Sequence, residues 1–121
     1  MPYMLLIHEP IGQRAARGEA QGRVVFDRML RWGGELKARG LLLATQSLAG
    51  QDEGAARIQV RDGQTQLLDG PFAEAKEMVG GFFLLDCASR DEALALAREC
   101  PAAQWATIEV RATGPCFADL L

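Results

Sequence analysis

The chain has one histidine, His8, and three cysteines, Cys87, Cys100 and Cys116, with no CxxC spacing among them. A disulfide framework is built from pairs, and a structural zinc site usually needs four ligands. The sequence therefore points to no metal and no cofactor, and to reduced, mostly structural thiols of a cytoplasmic protein. A long apolar run is missing as well. The opening "MPYMLLIHEP" has no basic leader and is too short for a signal peptide or a membrane span. There is no excess of one charge sign, since the net charge is −3. Arg14, Arg17, Arg23, Arg28 and Arg31 crowd one segment, but Glu19 and Asp27 lie among them. That mixture reads as a solvated helix face rather than a phosphate-binding stripe, so neither direct nucleic-acid binding nor a membrane partner is expected. No glycine loop of the nucleotide-binding kind precedes a helix, because "GGFF" lies on a strand.

The 121 residues, 49% hydrophobic and 24% charged, suit a single domain spanning 1–121 with one core. "YMLLIH" (3–8) reads as a strand closed by Glu9, Pro10 and Gly12. A helix is predicted over about 20–39, where Val25, Met29, Trp32 and Leu36 recur at helical spacing, with Gly40 as its stop. Gly33 and Gly34 within it cost about 1 kcal/mol each relative to alanine. They imply either a tolerated weakness or the close approach of another backbone. "LLLATQSL" (41–48) is a second strand. In "RIQVRDGQTQLL" the pair Asp62-Gly63 suits a two-residue type I′ turn, setting Val60 opposite Thr65 and Ile58 opposite Leu67. A strand over 79–86 follows, then a helix from "SRDEALALAREC" with Ser89 and Glu92 at capping-box spacing and Pro101 as its end. Ala93, Leu96, Ala97 and Cys100 form its buried stripe, and "WATIEVRAT" (105–113) is the last strand.

The order β-α-β, hairpin, β-α-β predicts an α+β fold, a ferredoxin-like split βαβ arrangement with an inserted β-hairpin and with strands 3–8 and 79–86 in the centre. Both central strands are apolar almost throughout, so both faces of the sheet call for cover. Two helices shelter only one face. Since burying a Leu or Phe is worth about 1.5–3 kcal/mol, a homodimer packed sheet to sheet is expected.

"DGPF" (69–72), followed by "AEAKE" and "GGFFLLD", resembles the signature of the DGPF branch of the YCII-related family. The likeness extends to the "YMLLI" opening, the "RDG" hairpin, the "DEAL" helix start, and "CPAA" leading to "IEVR". It implies a ferredoxin-like dimer, a dimeric α/β barrel with a cleft between sheet and helices. Some members of the wider group resemble a dechlorinating enzyme of aromatic breakdown and use a His-Asp pair. At the corresponding places this chain carries Met29 and Cys100, neither of which can do that proton transfer. The branch is also associated with extracytoplasmic-function sigma factors, which implies a regulatory setting.

Two readings of the 69–77 segment stand side by side. In one, Asp69, Gly70, Pro71 and Phe72 make a rigid corner, with Phe72 plugging the core. In the other, the corner aims Glu74, Lys76 and Glu77 into the cleft. Lys76 would then hold an anionic ligand beside Glu74, Gly70 and Phe72, and Asp69 or Glu77 would act as a base if burial raised its pKa. His8, at the end of a central strand, is either a half-buried structural residue or a base oriented by Asp69 or Glu9. Two functions follow as expectations. One is a small-molecule enzyme or binding protein acting on a hydrophobic or aromatic anion. The other is a non-catalytic regulatory or interaction module partnering a sigma factor.

Overall fold

The structure, a computed structural model, describes residues 2–116. Its elements are β1 (Pro2–Pro10), α1 (Gln13–Arg17), α2 (Glu19–Ala38), β2 (Leu42–Ser47), β3 (Ala56–Arg61), β4 (Gln64–Asp69), β5 (Glu77–Asp86), α3 (Arg90–Glu99), a 3-10 turn (Pro101–Gln104) and β6 (Thr107–Ala112). Four strands form one antiparallel sheet in the order β2-β5-β1-β6, and β3 and β4 form a separate two-stranded ribbon. This is the α+β, ferredoxin-like arrangement expected from the sequence, with β1 and β5 central. The "GPCF" tail continues past Cys116 into Phe117, which lies outside the described residues.

Local chemistry accounts for the element boundaries. The hairpin turns on Asp62 (φ 52°) and Gly63 (φ 76°), both left-handed as a type I′ turn requires. Its register sets Val60 against Thr65 and Ile58 against Leu67, as the alternation demands. At the end of α2 the Leu41 N–H donates to the Leu36 carbonyl and the Gly40 N–H to that of Lys37, the Schellman pattern of bonds. Ser89 caps α3 by accepting from the Glu92 N–H at 3.1 Å. The Glu92 carboxylate reaches back one residue further than the capping box prescribes, to the Ala88 N–H at 3.0 Å. α1 was not foreseen. None of its residues is buried, so it leaves no apolar stripe to read.

The core lies between α2, α3 and one face of the sheet. Leu5, Ile7, Phe83 and Leu85 point into it from the central strands and meet Trp32, Leu36, Ala93 and Leu96. Trp32 sets its ring edge-on to Phe83, centroids 4.8 Å apart. Gly33 sits over that same phenyl ring, 3.7 Å from where a Cβ would lie, whereas Gly34 faces open space. The approach at Gly33 is by a side chain, not by another backbone.

Alternation sends Met4, Leu6 and His8 of β1 to the opposite face, where Leu84 pairs with Met4 and Phe82 with Leu6. These four apolar residues are half-buried, while their neighbours on the helix side are buried. The central strands are thus apolar on both faces. The ribbon lies apart, with all twelve of its strand residues exposed.

Candidate functional site

Glu9 follows Ile7 on the helix-facing side of β1, just past the core, where the residue is only 7% exposed. A charge so placed needs a partner, and the chain supplies one five residues later from α1. Arg14 Nη2 donates to Glu9 Oε1 at 2.7 Å and Nε donates to Oε2 at 3.0 Å, a two-pronged pair. Arg14 Nη1 donates to the Leu48 carbonyl at 2.8 Å, which ties α1 to the end of β2.

Space for this pair comes from β5. The β1–β5 register shifts between Ile7 and His8, so Ile7 faces Gly81, His8 faces Val79, and Gly80 is left over as a bulge. A Cβ on Gly80 would overlap Glu9 Oε1 and lie 3.0 Å from Arg14 Nη2. Glycine is required there by close approach, not by backbone twist.

Beside the pair opens a cavity of about 340 Å³ between α2 and the sheet. Val25, Phe26 and Met29 of α2 form one wall and Ile7, Gly81 and Phe83 the other, with Glu9 and Arg14 at one side. Arg17, Trp105 and Leu48 are also part of the lining. The Arg17 guanidinium carbon lies 5.7 Å from the centre of the Trp105 ring, and that of Arg28 lies 5.1 Å from it. Gln13 fixes the Trp105 backbone by donating to its carbonyl at 2.7 Å.

His8 faces away from this cavity. Its Nε2 lies 2.6 Å from Glu109 Oε1, so that nitrogen donates to the carboxylate across the β1–β6 pairing. This bond, helped by Arg111 donating at 3.3 Å, holds the Glu109 carboxyl below the ordinary glutamate range. The carboxylate that orients His8 is therefore Glu109, not Asp69 or Glu9.

The 69–77 segment forms a packed corner. Gly70 donates its N–H to the Ala55 carbonyl at 2.7 Å, the Gly70-Pro71 peptide is cis, and Phe72 is buried. The Arg57 guanidinium lies 3.9 Å above the Phe72 ring. Asp69, Glu74, Lys76 and Glu77 are exposed, and none of them lines the cavity between α2 and the sheet. Glu77 and Phe72 share a shallow depression with His8 and Arg57 on the outer side.

Met29 stands in the cavity wall, while Cys100 is 2% exposed in the core and its thiol is pushed up to about 11 by burial. Among the described residues no group of three or more His, Cys, Asp or Glu is placed to hold a metal ion, and no helix is long and apolar enough to cross a membrane. Sequence reasoning offered Glu9 only as an orienter of His8, read Arg14 and Arg17 as part of a solvated helix face, and passed over Trp105. The available signals were an ionisable pair flanking Gly12 and two glycines breaking an apolar strand.

The YCII-related domain pattern matches residues 1–115. An uncharacterized protein of Rhizobium meliloti (strain 1021) is 56% identical over 45 residues, which cover 37% of this chain and 36% of that protein.

Proposed function

The chain belongs to the YCII-related family, and on that footing we propose that it is a small-molecule-binding protein whose ligand occupies the cavity between α2 and the sheet. The cavity itself carries this reading. At about 340 Å³ it falls in the range of small-ligand sites, roughly 300–1,000 Å³, and its walls are mainly apolar. Phe26 and Leu48 line it while 52% and 43% exposed, the kind of apolar surface that a bound molecule would cover. Binding without turnover is favoured over proton transfer, since Met29 and Cys100 offer no substitute for a His-Asp pair.

Amide NMR titration with indole tests the assignment. Shift changes should cluster at Val25, Met29, Gly81 and Trp105, and Met29→Trp, which fills the space, should abolish them. Changes scattered over the outer sheet face and the ribbon would refute it. The milder Val25→Phe tests the same wall if Met29→Trp does not fold.

A second reading, an interaction module, has its own supporting observation. Ile58, Val60, Leu67 and Leu68 of the isolated ribbon are 56–68% exposed, and an unsupported two-stranded hairpin is marginal in water. Together with the half-buried Met4, Leu6, Phe82 and Leu84, they favour a homodimer through the outer sheet face and leave apolar surface for a partner such as a sigma factor. Light scattering on the purified chain checks the first step. A dimer that Phe82→Lys converts to monomer is expected, and a wild-type monomer at micromolar concentration would rule it out.

A further inference from the structure

We infer that the ligand of this cavity carries a carboxylate and that Arg17 selects it, an inference that rests on the cavity reading above. Two guanidinium groups line the space, and they are not equivalent. Arg14 is already spent: Glu9 neutralises it through two hydrogen bonds and Leu48 takes its remaining amino group. The pair contributes almost no net charge, and its carboxylate has its oxygens turned to the guanidinium.

Arg17 has no such partner. Among the described residues no carboxylate lies within ion-pairing distance of it, and its contact is with the face of the Trp105 ring. A cation over a ring face is held by the charge distribution of the ring rather than by a hydrogen bond, so this contact does not use up the guanidinium N–H donors. Those donors form a planar fork whose natural complement is a carboxylate. Trp105, whose backbone carbonyl accepts from Gln13, stands beside Arg17 in the cavity lining.

The rest of the lining narrows the class further. A dianion such as a phosphate monoester needs more positive charge than one free guanidinium in an apolar space supplies. Arg28, on the same indole, lies outside the cavity lining and donates to Gln104 at 3.1 Å. A cationic ligand would meet Arg17 with Glu9 already engaged. What fits is a monocarboxylate with a compact apolar body, its head on Arg17 and its body against Val25, Met29 and Phe83.

Cinnamate and its neutral amide, cinnamamide, share a body and differ in this head group. Calorimetric titration at low ionic strength should show cinnamate binding at least about tenfold more tightly than the amide. In Arg17→Met the ratio should fall to about one, and in Arg17→Lys it should be partly retained. Binding of both compounds with equal affinity in the wild-type protein would overturn the selection by Arg17 while leaving the cavity reading intact. A preference that survives Arg17→Met would overturn the assignment to that residue. If neither compound binds, the cavity reading falls, and this inference falls with it.

Discussion

Replacing Arg14 by methionine should leave the Glu9 carboxylate buried and unpaired, and the size of the loss follows from how each partner meets water. The Glu9 side chain is 10% exposed and that of Arg14 is 39% exposed. Removing one member of a fully buried pair costs about 3–5 kcal/mol, because the surviving charge cannot be solvated. Water on the arginine side reduces this, so about 2–3 kcal/mol is expected for Arg14→Met. The reverse change, Glu9→Leu, leaves an arginine that can turn to solvent, and should cost about 1 kcal/mol. In the double variant the charge is gone from both sides, so it should be more stable than Arg14→Met alone by about 1–2 kcal/mol. Urea unfolding of the four proteins measures the cycle directly. In thermal unfolding, a chain of this length loses roughly 3–5 °C per kcal/mol, which places Arg14→Met about 6–15 °C below wild type. Simple additivity, or a double variant less stable than Arg14→Met, would show that Glu9 does not depend on Arg14 and that the closed geometry at Gly80 serves something else.

The Glu109 carboxyl, held low by His8, contributes stability that is present above the unfolded glutamate range and is lost as pH falls through its depressed folded value. His8→Leu should therefore raise the Glu109 titration midpoint, read by carboxyl carbon NMR, and make the two stability curves converge at acid pH. A thiol reagent at pH 8 should label one cysteine of the native protein quickly, the exposed Cys116. Cys87 and Cys100, both buried with thiol pKa values raised by desolvation, should react only on unfolding. Ser89→Ala removes the hydroxyl that accepts from Glu92 and should lower stability by about 1 kcal/mol in denaturant titration.

How much of this was written into the chain differs from element to element. The hairpin was legible to the residue, since Asp62-Gly63 sets the turn and a two-residue loop leaves one register for the flanking alternation. The continuous apolar runs placed β1 and β5 in the centre of the sheet, and Ser89, Pro101 and Gly40 marked helix ends by local hydrogen-bond chemistry. α1 stayed hidden because an exposed five-residue helix carries no apolar period.

The site divided in the same way. Periodicity shows that His8 and Glu9, being adjacent on a strand, point to opposite faces, but not which face borders a cavity. That is decided by where α2 packs, which placed Glu9 at the lining and turned His8 toward Glu109. The charges around "DGPF" drew the eye as a motif, yet their corner is held by Phe72 and Gly70, and its charged side chains face water. Short-range steric and hydrogen-bonding rules act between near neighbours and are readable from the chain. The encounter of Glu9 with Arg14 across the gap at Gly80, and of Arg17 with Trp105 from the far end of the chain, exists only once the sheet has brought distant segments together.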